Sequence, residues 1–224
     1  MKELISLLSS INLLDSLIET LLMTFISCAC AYVLGIPIGV LMVITDKDGL
    51  HPNGIIHKIL SVIVNLGRSI PFLILLVLLI PFTKIIVGTS LGVRGMIVPL
   101  VIGSTPFIAR LVEQSLREIP KGVIDAAVCM GASNLQIIMR VYLKECIPSL
   151  IRGVSIALIT LVGYSAMSGT VGGGGLGYTA VYQGHYNFRT DVMIIVLIVL
   201  IIVVQVIQTC FDYLAKKIDK RKGN

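Results

Sequence analysis

Charge is what this sequence has least of. Only 13% of its 224 residues are Asp, Glu, Lys or Arg, against 56% hydrophobic residues and a mean hydropathy of +0.98. A soluble domain of this length carries about 25% charged residues, so too few polar groups remain to cover a surface facing water. Lipid is the solvent that fits. Also missing is a G-x-x-x-x-G-K-[ST] nucleotide loop, so energy from a nucleotide must come through another subunit. The five cysteines make no framework. Cys28 and Cys30 stand two apart on different faces of one helix, and Cys129, Cys146 and Cys210 are scattered. No metal-ligand spacing occurs, and His51, His57 and His185 form no constellation. No Ser/His, Cys/His or paired-carboxylate set can be assembled at membrane depth, which argues against an integral-membrane enzyme. Channels and proton-coupled carriers commonly place ionisable residues in their spans. Here only Arg68 comes close.

What is present is a series of apolar blocks of membrane length, about 20 residues each. The fold class read from them is all-α integral membrane, in one domain over residues 1–224. Five transmembrane helices are expected at 20–45, 59–83, 91–111, 150–171 and 192–212, since unpaired backbone groups in lipid leave only helices or a closed barrel. The first block is too long for the apolar core of a signal peptide and lacks a basic stretch directly before it, so it is expected to stay in the mature protein.

Basic residues set the orientation. With five spans, the 45–58 loop, the 110–152 loop and the C-terminal tail share one side. They hold Lys47, Lys58, Arg110, Arg117, Lys121, Arg140, Lys144, Arg152, Lys216, Lys217, Lys220, Arg221 and Lys222, which is 13 of the 18 basic residues. Lys2, Lys84, Arg94 and Arg189 lie opposite. The N-terminus is therefore expected outside and the C-terminus in the cytoplasm. This asymmetry absorbs most of the net charge of +6 and argues against nucleic-acid binding, which needs base-reading or stacking residues on a basic face. The tail KKIDKRK reads as a topology anchor, with contact to anionic headgroups as the alternative.

The 112–149 loop is the one sizeable soluble-looking segment. Pro120 suits the first turn of a helix, and Gly131 suits the left-handed residue that ends it. Ser133 followed by Gln136 forms a capping box that starts a second helix, with Pro148 ending that helix or opening the fourth span. A helix of about three turns is not stable alone in water and must dock on something.

The run Asp125-Ala126-Ala127, with Gly131, Ala132 and Ser133, then Ile137, Val141, Leu143 and Pro148, resembles the EAA loop of permeases in binding-protein-dependent ABC importers. The chain departs from that pattern in having Asp125 for Glu and Lys144 where proline usually follows leucine. The segments NLGRSIPFLILL (65–76), IVGTSLG (86–92), PFIARLVEQSLREIPKG (106–122) and TLVGYSAMSGTVGGGGLG (160–177) are similar to the methionine-uptake branch. The resemblance implies a permease of the bacterial inner membrane that works as a homodimer. Two ATPase subunits, which bind ATP and Mg, would dock on the EAA loops, and an external binding lipoprotein would deliver methionine. The chain itself would bind no cofactor. One loop and no internal repeat fit a two-fold ATPase pair only through a symmetric dimer. Another amino acid or sulfur compound remains an alternative cargo.

Gly/Pro-interrupted spans point to transport pathways. Span three (Pro99, Gly103, Ser104, Thr105, Pro106) and the end of span four (Tyr164, Ser165, Met167, Ser168) qualify, with packing between small residues as the competing reading. Met167, large among small neighbours, is the expected gate. The run Gly172–Gly177 fits G-x-G-x-x-G, but a dinucleotide loop needs a strand before it and a helix after it. Neither is expected, and the run reads as a tight external turn in reach of a binding protein. Arg68 is expected near the cytoplasmic start of span two, snorkelling to the headgroups. Glu113 and Arg117, four apart on a helix, can pair with each other, and a solvated helix face is the preferred reading.

Overall fold

In the computed structural model, which describes residues 12–219, the described chain is helical throughout. Lys2 and the Lys220–Lys222 part of the basic tail lie outside the described residues. The long helices are α1 (Leu13–Ile44), α5 (Gly92–Arg117), α9 (Ile147–Ser168, continued by a 3-10 turn to Val171) and α11 (Thr190–Ile218). Each is long and apolar enough to cross a membrane. Between α1 and α5 lie α2 (Gly54–Ser69), α3 (Phe72–Leu78) and α4 (Ile80–Val87). After α5 come α6 (Lys121–Cys129), then α7 (Asn134–Gln136), a π turn (Ile137–Tyr142) and α8 (Leu143–Glu145). α10 (Gly175–Tyr178) and a second π turn (Thr179–Tyr186) precede α11.

The chain thus has four candidate spans, or five when α2 and α3 are taken as one. That pair is the main departure from the expected second span at 59–83, because it bends by 97° at a short break. The cause is local. Pro71 has no N–H to donate and pushes Ile70 out of the helical region, and Pro71 itself is extended (φ −59°, ψ 126°). Arg68 therefore sits in the last turn of α2, beside the break, and is exposed. It is not at the start of the span.

The opposite correction applies to the third span. Despite Pro99, Gly103 and Pro106, α5 is continuous. The Ser104 hydroxyl donates to the Leu100 carbonyl at 2.7 Å. Gly103 permits close packing, since a Cβ there would lie 3.2 Å from Leu75 and Phe72.

Two compact units divide the chain, with α1, α5, α9 and α11 passing through both. One contains residues up to Cys30, 70–104 and 158–207, and its apolar centre is Leu176, Val192 and Val196. The other contains 31–69, 105–157 and the chain from Gln208, centred on Met42, Val64 and Ala109. In the second, helices approach closely over glycines. A Cβ on Gly39 would sit 2.7 Å from the Ala109 carbonyl, and one on Gly67 2.6 Å from the Pro106 ring. Small residues at helix contacts are how apolar helices pack tightly in lipid.

Candidate functional site: a capped docking helix and its ionic root

The expected loop features appear in α6 and its neighbours. Pro120 stands at the N-cap, one residue before α6 begins. At the other end Gly131 is left-handed (φ +77°). The Ala132 N–H reaches the Ala127 carbonyl at 3.1 Å, and the Gly131 N–H reaches that of Val128 at 2.9 Å. This is the Schellman pattern that closes the last carbonyls of a helix. Two residues on, the Ser133 hydroxyl accepts from the Gln136 N–H and the Gln136 side chain accepts from the Ser133 N–H. Pro148 falls in the first turn of α9, so of its two expected roles it opens the following span. Lys144 interrupts nothing, as α8 runs through it to Glu145.

The inward face of this segment is apolar: Ala127, Ile137 and Tyr142 are buried. Asp125, Ala126, Gly131 and Ser133 are exposed, and Ala132 is half-buried. Around them stand apolar side chains with nothing over them: Val123, Val128, Leu135, Met139 and Met130, the last 81% exposed. Exposed apolar groups of this kind mark contact with a protein partner or with the membrane.

At the root of α6 lies an ion-pair network in which Glu113 and Arg117 do pair, while the burial of Glu113 overturns the expectation of a solvated face. Glu113 is only 2% exposed. Arg110 donates to its Oε2, and Arg117 donates to Oε1 through Nε (3.1 Å) and Nη2 (3.0 Å). Arg117 also pairs with Asp46 at 2.7 Å, Arg110 also donates to Asn65 at 2.7 Å, and Lys121 reaches Asp48 at 3.3 Å. Burial pushes the Asp46 carboxyl upward, but the Lys47 N–H and Arg117 outweigh it, so its pKa lies below the ordinary value and it is ionised at neutral pH. Asp46 and Asn65 were not singled out in the sequence. The only signal for Asp46 was its place just after the uncharged run that ends at Thr45.

The expected pathway residues divide. Tyr164 stacks flat on Phe72, ring centroids 4.2 Å apart. Ser165 and Ser168 are buried and donate to carbonyls of their own helix, Val162 at 2.8 Å and Ser165 at 2.7 Å. Ser104 is likewise buried and satisfied within α5. Met167 is 49% exposed. Pro106 belongs to the second unit, where it is half-buried against Gly67 of that same unit.

Beyond Ser168, Gly172, Gly174 and Gly175 take positive φ and turn the chain back on itself. Gly169 lies directly on the backbone of Gly177 and Tyr178, leaving no room for a Cβ. A helix does follow this run, contrary to expectation, though what precedes it is a helix and not the strand of a dinucleotide loop. The N–H groups that open α10 are held by α1: Glu19 accepts from Gly175 at 2.6 Å and Thr20 from Leu176 at 2.8 Å. Glu19 was missed because α1 begins at Leu13, before the expected span. The lone charge at the edge of the apolar run was the available signal.

Helices long and apolar enough to cross a membrane, with a short helix closed by a Schellman turn among exposed apolar side chains, describe a membrane protein. The chain belongs to the family of binding-protein-dependent transport system inner membrane components, which matches residues 35–224. It is similar to the probable D-methionine transport system permease protein MetI of Vibrio cholerae, with 47% identity covering 96% of this chain and 95% of that protein. It is also similar to the D-methionine transport system permease protein MetI of Escherichia coli, with 52% identity over 67% and 70% of the two chains. Among solved structures, an inward-facing MetNI methionine ABC transporter superposes with a TM-score of 0.91 at 47% identity, covering 93% of this chain and 96% of that one. An amino acid ABC transporter with histidines matches at TM-score 0.77 and 18% identity, a likeness of fold alone.

Proposed function

We propose that this chain is the permease subunit of an ATP-driven importer of methionine, acting as a single domain in a homodimer. The observation that carries the reading is α6 closed by the Schellman turn at Gly131, whose Asp125–Ser133 segment stands among exposed apolar side chains as a preformed knob for a soluble partner. The cargo follows from the names of its relatives. With α2 and α3 counted as one span, the distribution of basic residues supports an α6 loop in the cytoplasm and an N-terminus outside. Two ATPase subunits dock on the two α6 helices and supply ATP and Mg; the permease performs no chemistry. An external binding protein delivers methionine to the outer face, where the glycine turn at 172–177 lies. ATP closes the ATPase pair, draws the α6 helices together and opens the spans outward, and hydrolysis resets them. The segment Tyr164–Ser168 lines the pathway with Met167 as its gate, and Ser104 and Pro106 of α5 are the further pathway residues.

The test is uptake of labelled methionine, in L and D forms, by a transport-deficient bacterium given this permease with its own ATPase and binding protein. A β-branched residue at Gly131 is strained at φ +77°, so Gly131→Val is expected to insert normally and lose uptake. Full uptake by that variant would remove the coupling role from α6. A complex that assembles and hydrolyses ATP without methionine uptake would discard the cargo and keep the importer.

A further inference from the structure

We propose that Asp46, Glu113 and Arg117 are positioning residues for energy coupling. They form an ion-pair relay that fastens the loop after α1 to the root of the docking helix, so that a displacement of α6 moves the ends of α1, α2 and α5 as one body. The inference rests on the coupling role given to α6 above.

The geometry is more extended than stability alone requires. Glu113 is buried on α5, and its two oxygens are taken by Arg110 and Arg117 of the same helix. That would already neutralise it. Yet each arginine uses its remaining reach on another element. Arg110 donates to Asn65 of α2, and Arg117 pairs with Asp46 in the loop between α1 and α2. Lys121, the first residue of α6, pairs with Asp48 of that same loop. The two ion pairs thus bracket the short 118–120 link where α5 ends and α6 begins.

The loop is stiff enough to pass a displacement on. Its backbone closes on itself through Gly49 to Asp46 (2.9 Å), His51 to Ile44 (2.9 Å) and Asn53 to Thr45 (2.9 Å). Gly49 presses on the Val43 and Ile44 carbonyls with no room for a Cβ. A cavity of about 140 Å3 lined by Asp46, Asp48, Arg117, Lys121 and Tyr142 leaves space for these groups to shift. Glu113 is buried and Asp46 half-buried, though Arg117 between them is itself exposed; carboxylates withdrawn from water hold a counter-ion more strongly than exposed ones, so the Glu113–Arg117–Asp46 limb carries the linkage. The exposed Lys121–Asp48 pair adds little.

The experiment uses the complete transporter, permease with its own ATPase and binding protein, in proteoliposomes. It measures ATP hydrolysed per methionine taken up. Asp46→Asn is expected to raise that ratio by about threefold or more, and Asp46→Glu to bring it back toward the native value. Arg117→Lys should behave as Asp46→Asn does, because an ammonium cannot span both carboxylates as the guanidinium fork does. It carries the measurement if Asp46→Asn fails to assemble. A native ratio in both variants, with uptake and hydrolysis falling together or not at all, would overturn the relay and leave a stabilising ion pair. Gly131→Val in the same assay separates the two readings. Full uptake there defeats the coupling role on which the relay rests. Lost uptake there beside a native ratio in Asp46→Asn defeats the relay alone.

Discussion

Met167 is half exposed at the end of α9, next to Ser165 and Ser168, whose hydroxyls are turned into their own helix. The serine hydroxyls are therefore already satisfied within α9, and Met167 is the large flexible side chain set beside them. If it closes the pathway, Met167→Ala removes the obstruction without disturbing any hydrogen-bonded side chain. The expected outcome is a faster resting ATPase or a changed uptake rate in the assembled transporter. Native values for both would take the gate away from Met167. At this scale the sequence was a good guide to residues acting on near neighbours and a poor one to those acting at a distance. Gly131, Ser133 and Pro148 declared their roles because each governs backbone within a few residues. Glu113 did not, because half of its network, Asp46 and Asn65, comes from elements remote along the chain.

Among elements, the 134–145 segment shows how a short helix is held. α7 is a single turn that runs into a π turn, and isolated helices of this length do not persist in water. The capping box at Ser133 and the burial of Ile137 and Tyr142 hold it in place. Ser133→Ala removes one cap hydrogen bond, at a cost of about 1 kcal/mol. Amide exchange at Gln136 and its neighbours should then quicken about fivefold, and unchanged exchange would show that packing alone fixes the segment. The prolines explain why some elements were legible and others were not. Pro71 breaks a block whose hydropathy runs straight through it, whereas Pro99 and Pro106 sit inside a continuous α5. Composition locates the apolar blocks; whether a proline ends a helix depends on what surrounds the freed carbonyls, and that is set by tertiary packing.

For the molecule as a whole, the sidedness argued from thirteen basic residues can be checked with a group already in place. Cys129, the last residue of α6, is exposed. In a variant keeping only that cysteine, expressed without its ATPase, a membrane-impermeant maleimide should label Cys129 only after the membrane is opened. Labelling in intact cells would invert the topology and detach α6 from any cytoplasmic partner. Four of the five expected spans were legible because hydrocarbon thickness sets one length for all of them. The pairing of α2 with α3 through a sharp bend was not, since a length rule has no information on direction.

The ionic hub also bears on how the protein is made. Arg110, Glu113 and Arg117 are three and four residues apart on α5, so the carboxylate faces both counter-ions as soon as those two turns coil. The segment can enter the bilayer carrying its own neutralisation, with no wait for a later span to supply it. The partners that complete the hub, Asp46 and Asn65, are by then already synthesised. This hub can therefore assemble in chain order, α5 finding its electrostatic partners in the loop and helix that came before it.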